Sequence, residues 1–265
     1  MNRPISTVGR GVASVLAAVL LLVSLSGWVP APPAPKPFLI VLDPGHGGLD
    51  PGALGKISRE KDLALSISLQ LTELLKADSR PFQVVLTRDK DQFVGLMERA
   101  QLANQKKADL FISLHINANE SSEPFGTSTY AVGVHKNEAQ LQSMMRENAA
   151  ILLEKDYKEK YEGFDPKSPD SYIIFKLRQH GFLKQSLELA RHIEHEFAHH
   201  AKRTSRGVKQ AGFLVLWQTT MPAVLVEAGF ITNAEEEKFM VTKEGQQYLA
   251  SAVHRAIGTY YDAVK

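Results

Sequence analysis

The chain has 265 residues, 44% apolar and 23% charged, which suits an ordinary globular protein with one substantial core. Its 31 Lys and Arg nearly balance 29 Asp and Glu, and the formal charge of +2 with no basic stripe interleaved with aromatics argues against nucleic acid as a partner. The lack of any cysteine excludes thiolate nucleophiles, CxxC redox chemistry, cysteine-rich zinc sites and disulfides, so any metal must sit on His and carboxylate.

At the N-terminus, Arg3 and Arg10 precede an uncharged apolar run (11–29) and then a Pro/Ala stretch that cannot be helical. Residues 1–35 thus read as a signal peptide or an uncleaved membrane anchor followed by a linker, with residues from about 36 onward outside the cytoplasm. A buried core helix would show some polar face, which this run lacks. Without cysteine there is no acylated lipoprotein terminus.

Beyond the linker, FLIVL (38–42) reads as a buried strand feeding a Pro/Gly turn. A helix over 62–77, a strand over 81–88, a helix over 93–107 and a strand over 108–116 follow. This alternation predicts parallel crossovers and an α/β sheet covered on both faces. Further strands are expected at 127–132, 208–217 and 223–230, separated by a long polar and helical stretch from His135 to Arg206. Asn233 with Glu236 suits a capping box on a short helix, and a last helix is expected over 245–264.

Several of these strands end in reactive side chains. His46 lies in a glycine-rich loop, DPGHGG, directly after the first strand, where open α/β sheets place their ligands. A phosphate cradle is disfavoured, since neither GxxxxGK[ST] nor GxGxxG is present. His115 closes a nearly continuous apolar strand, and an imidazole there needs a hydrogen bond or a metal. Glu227 closes PAVLVEAGF in the same way, either as an edge salt bridge or as a carboxylate near a metal. Glu60, just before the first long helix, would alone be an acid favoured by the helix dipole. Two His and one Glu with an open fourth position are a ligand set used by catalytic zinc, and a nearby carboxylate can take a proton from an attacking water.

A second pattern competes. His195-Glu196-Phe197-Ala198-His199 matches HExxH, in which two His bind zinc and Glu is the base. On a helix over 183–201, however, Leu183, Leu187, Ala190, Phe197 and Ala201 share one face while His192, His195 and His199 lie opposite. The motif is expected to face water, and the metzincin continuation is absent.

Taken together, LDPGHGG, EKD (60–62), LTRDKDQFVGLMERAQLANQKKADLFISLHINA and PAVLVEAGFITN resemble the zinc-dependent N-acetylmuramoyl-L-alanine amidases of bacterial cell-wall turnover. The resemblance implies a mostly parallel, roughly six-stranded α/β sheet with helices on both faces, and hydrolysis of the bond between N-acetylmuramic acid and L-alanine of the stem peptide in peptidoglycan. It carries Zn2+ onto His46, Glu60 and His115 and the catalytic acid onto Glu227, with a periplasmic location. Arg88, Arg99 and Asn104 match family positions for which scaffold roles are expected. Ile116 and Ala228 depart from the usual pattern, where a small residue and Leu are common, and could alter pocket shape.

The middle segment, about 136–181, is longer than a minimal member needs. It is similar in position to the insertion of periplasmic division amidases, which supplies a helix blocking the active site until an activator protein moves it. Here 137–157 can form a helix with Leu141, Met144 or Met145, Asn148, Ile151 and Leu152 on an apolar stripe. One of Glu138, Glu147 or Glu154 is then expected in the open zinc position. The rival readings are a catalytically silent wall-binding or regulatory module and a zinc peptidase acting within the stem peptide.

Overall fold

Six strands form one sheet in the order β2-β1-β3-β6-β4-β5. The computed structural model describes residues 36–173 and 181–265; the N-terminal segment expected to direct export, and residues 174–180 of the middle segment, lie outside the described residues. β1 (Phe38–Pro44), β2 (Phe82–Leu86), β3 (Leu110–Asn117) and β6 (Ala223–Phe230) run parallel. β4 (Thr127–Val132) pairs antiparallel with β6 and parallel with β5 (Ser205–Ala211). The expected fold class, a mostly parallel α/β sheet, is therefore the one that forms.

The apolar runs of β3 and β6 are buried along their whole length because helices cover both faces. Ile40, Leu42, Ile112, Leu114, Val224 and Val226 pack on the side of α1 (Glu60–Lys76), α5 (Leu183–His199) and α8 (Lys243–Val264). The alternate positions Val41, Phe111, Tyr130 and Leu225 face α2 (Leu96–Lys106), α3 (Glu138–Asn148) and α6 (Leu214–Trp217). Ile116 and Ala228 belong to the first set, buried on the α1 side, so the expected influence on pocket shape gives way to a core role on the face away from His115 and Glu227.

Three expectations need correction. The strand expected over 208–217 ends at Ala211, and Leu214–Trp217 is a helical turn. The Asn148 side chain takes the backbone there: its amide donates to Gly212 O at 2.9 Å and its oxygen accepts from Leu214 N at 2.9 Å, in place of a ladder partner. That use of Asn148 also closes α3, so the helix expected over 137–157 breaks into α3, a 3-10 turn over Ala149–Leu153, and the short α4 (Tyr157–Lys160). On α7 (Ala234–Met240), Asn233 caps as expected, but Glu236 does not complete the box and accepts from Phe230 N and Gly126 N. Boundaries elsewhere shift by up to three residues, the largest being α2, which starts at Leu96 rather than 93.

At the carboxyl end of β1 the chain buries ions. Asp43 is fully buried and accepts from Thr87 Oγ1 (2.5 Å), Ser113 Oγ (2.7 Å) and Arg99 Nη1 (2.8 Å). Burial opposes its ionisation, but the Arg99 charge and the three hydrogen bonds outweigh it and hold the carboxyl below its usual 3.8. Arg99 also donates to Pro44 O, His46 O and Val94 O, while Arg88 donates to Pro44 O, Gly45 O and Lys61 O. Asn104 ties α2 to Gln218 and Thr220.

Removing Arg99 leaves a buried unpaired carboxylate, so Arg99→Met is expected to lower stability by about 3–5 kcal/mol in urea unfolding at pH 7. Because Asp43 has a depressed folded pKa, its contribution is present above 3.8 and is lost as pH falls through the folded value. The deficit of Arg99→Met relative to the parent chain should therefore shrink when unfolding is followed below that pH.

Candidate metal centre and active site

His46 reaches the site on a left-handed backbone turn (φ 60°), an uncommon conformation for a side-chain-bearing residue, held by the Arg99 bond to its carbonyl. Two glycines make room. A Cβ on Gly45 would lie 2.4 Å from the His115 ring, and one on Gly52 would lie 2.6 Å from the His46 ring and 2.7 Å from Glu60 Oε2. The loop sequence is thus dictated by close approach as much as by turning. His46 Nδ1 bonds Asp50 Oδ2 at 2.9 Å, which fixes the ring and leaves Nε2 facing inward.

Glu60 is the first residue of α1, fully buried, and is steered by backbone: Ala53 N donates to Oε2 (2.8 Å) and Ile116 N to Oε1 (2.9 Å). Its Oε1 then stands 3.1 Å from both His46 Nε2 and His115 Nδ1. The structure brings together His46, Glu60 and His115 as the sequence suggested, and adds Glu147 from the last turn of α3. Glu147 Oε2 lies 2.9 Å from His46 Nε2 and 3.1 Å from His115 Nδ1.

Of the three insertion glutamates, Glu147 alone enters the site. Glu138 is exposed and accepts from Gln142. Glu154 sits on the N-terminus of α2, accepting from Leu96 N (3.3 Å), Tyr161 Oη (2.7 Å) and Lys160 Nζ (2.6 Å). Arg146 pins α3 beside the site, donating to Glu147 Oε1, Ala118 O and Asn117 Oδ1.

The donor set fits a divalent transition metal. His46, Glu60, His115 and Glu147 are all buried and offer one ligand atom each to a common centre. Although 2.9 Å apart, His46 Nε2 and Glu147 Oε2 form no hydrogen bond among the described residues, as expected of atoms aimed at one point rather than at each other. Two imidazoles and two carboxylates suit zinc-like ions. In the free protein the same carboxylates outweigh burial and raise His115 to about 9 and His46 well above 6.5. Metal uptake must then displace protons.

Glu227 is fully buried in β6, in register with His115 on β3 and with Ser128 on β4. Ser143 Oγ of α3 donates to its Oε1 at 3.2 Å, while Oε2 has no hydrogen-bond partner among the described residues. Burial, then the charges of Glu147 and Glu60, push this carboxyl up to about 8. Lys209, which the sequence reading passed over, donates to Ser128 Oγ at 2.9 Å and lies over the Tyr130 ring, on the same side of the sheet as Glu227. Burial lowers its pKa, followed by the charge of Arg206. The available signal was a lysine inside the strand expected from Val208. The gap left between α3 and the site, lined by His46, His115, Glu147 and Phe213, holds only about 10 Å³, too little for a peptide.

HExxH takes no part. Ala190, Phe197 and Ala201 are buried as expected, but Leu189 and Ile193 lead the core face, Leu183 and Leu187 being only half-buried. His195 and His199 are exposed.

Residues 40–259 match the family model described as N-acetylmuramoyl-L-alanine amidase, Amidase_3. The chain belongs to this amidase family. It is similar to AmiC of Escherichia coli (34% identity over 232 residues, 85% of this chain and 53% of AmiC) and AmiA of Escherichia coli (33% over 226 residues, 84% and 76%). It thus spans about half the length of that AmiC. Among solved structures, an amidase from Clostridium difficile superposes with a TM-score of 0.66 at 27% identity, covering 87% of this chain and 100% of that one. The CwlD amidase from Clostridioides difficile, solved in complex with the GerS lipoprotein, gives 0.62 at 26%, covering 85% and 98%.

A divalent transition metal at one hundred times its Kd should stabilise this amidase-family chain by about 2.7 kcal/mol. Thermal unfolding with and without chelator should record the rise in Tm, and His46→Ala or His115→Ala should remove most of it.

Proposed function

We propose that this chain is an exported zinc amidase that cleaves the amide between N-acetylmuramic acid and L-alanine of the peptidoglycan stem peptide, and that it is held inactive by its own insertion. The supporting observation is the convergence of four buried ligand atoms beside a partnerless carboxylate oxygen in a member of this family. His46, Glu60 and His115 would hold zinc, and Glu147 would fill the fourth position. Zinc bound there supplies Lewis acidity, acidifying a water and polarising the scissile carbonyl.

Glu227 is the general base and then the general acid. Its free Oε2 takes a proton from the attacking water and passes it to the departing nitrogen of L-alanine as the C–N bond breaks, leaving a carboxylate on the lactyl group and a free amine on the peptide. With α3 in place two carboxylate charges, those of Glu147 and Glu60, help keep Glu227 near 8. Withdrawal of Glu147 removes the larger of them, admits substrate and leaves Glu227 more readily ionised at neutral pH. A partner protein that lifts α3 would therefore act as the activator. Residues 1–35 direct the chain to the periplasm, as a cleaved signal or as a membrane anchor; among the described residues no helix is long and apolar enough to cross a membrane.

Mass spectrometry of purified peptidoglycan incubated with zinc-loaded chain tests this reading. Intact stem peptides should be released, and Glu227→Ala should lower the rate by about 10²–10⁴-fold. Glu147→Ala should raise the basal rate by about tenfold or more, a shift of roughly 1.4 kcal/mol towards the open helix, with its rising pH limb below 8. Cleavage inside the stem peptide would point to a peptidase, and no cleavage by zinc-loaded Glu147→Ala would point to a binding module.

A further inference from the structure

The last turn of α5 gathers three imidazoles and a carboxylate far from the catalytic residues in sequence, in a pattern that the HExxH spacing does not describe. Glu196 is the organising group. Its side chain is 10% exposed, and its Oε2 accepts from Arg255 Nε of α8 at 2.6 Å and lies 2.8 Å from His200 Nδ1. His195 Nδ1 stands 4.0 Å from Glu196 Oε1. The ligand atoms of His195, Glu196 and His200 all lie within 4.8 Å of one another.

We propose that His195, Glu196 and His200 form a second metal site, for a divalent transition ion of the Zn2+ or Cu2+ type, separate from the catalytic centre. Imidazole and carboxylate are the donors such ions choose when thiolate is absent. Bonds of ~2.0–2.1 Å in tetrahedral array put ligand atoms about 3.3 Å apart, so modest rotation of two exposed imidazoles closes the set around the anchored carboxylate. The position adds a further attraction: His200 is the C-cap of α5, and the negative end of the helix dipole favours a cation at this turn. Arg255 opposes it, but that guanidinium is 40% exposed and can give up Oε2 to an ion while staying in solvent.

His199, the second histidine of HExxH, is assigned a different part. Its Nδ1 donates to His195 O at 2.9 Å, and its ring stacks on the His195 ring with centroids 4.1 Å apart and planes at 20°. That stacking orients His195. With Glu196 serving as a ligand, it does not take the base role that the HExxH pattern gives its Glu. The inference is independent of the amidase reading.

The test is a calorimetric titration of chelator-stripped full-length chain with Zn2+, and with Cu2+ followed by EPR. The wild-type chain should take up two equivalents. His46→Ala/His115→Ala should keep one, and adding His195→Ala/His200→Ala should abolish it. His199→Ala in place of the latter pair should leave it. In the otherwise native chain, His195→Ala/His200→Ala should bring uptake from two equivalents to one and remove one Cu2+ nitrogen-hyperfine signature, with metal-free Tm and circular dichroism unchanged. Metal uptake in the His195→Ala/His200→Ala variant equal to that of the wild-type chain, or loss of the second site in His199→Ala, would each overturn the proposal.

Discussion

An ion buried at the end of a strand must be compensated where it stands, and in this chain that requirement organises the active region. Asp43 ends the apolar run of β1 with no solvent access, and Arg99 arrives from α2 to neutralise it. The same guanidinium continues to the carbonyls of Pro44 and His46. One charged group therefore neutralises the strand end and also sets the path of the loop that presents His46. Removal of either partner would leave the other charge stranded in a low-dielectric interior. The left-handed turn at His46 persists because this network over-determines it.

Around that fixed loop the site is assembled from separate parts of the chain: the β1 loop, the start of α1, the strands β3 and β6, and α3. The antiparallel pairing of β4 with β6 brings Ser128 alongside Glu227. α3 then covers the same side, with Met144 buried in its underside and Ser143, Arg146 and Glu147 engaging the site. Glu154, at the far end of the insertion, is spent on the N-terminus of α2, where backbone N–H groups favour an anion.

Much of this was legible because the chemistry is written beside apolar runs. His46, His115 and Glu227 each follow an apolar run, and such runs report the buried strand but not where it stops, since β3 continues to Asn117 and β6 to Phe230. Glu60 carries no such local mark, and what recruits it is the backbone of Ala53 and Ile116, which only the fold brings near. The choice among Glu138, Glu147 and Glu154 was likewise closed to the sequence, since all three lie on one helical stretch and the break after Asn148 depends on Gly212 and Leu214, more than sixty residues away. The misread strand 208–217 has the same origin: side-chain amides competed with a ladder. Lys209 was missed because a lone lysine in a short strand reads as solvated.

A carboxylate that closes a metal's coordination from a movable helix couples two equilibria, and thermodynamic coupling is reciprocal. If an ion binds as proposed, whatever free energy it contributes to seating α3, the seated helix returns as tighter retention of the ion. The gap beside Glu147 holds only about 10 Å³, so on the proposed reading exchange with outside ligands would require the helix to rise first. On the proposed reading, a partner that lifts the helix would expose the ion to competing chelators at the same moment as it admits substrate. A chain regulated in the proposed way would hold its metal least tightly when most active, and the abundance of free metal around it would become part of its control.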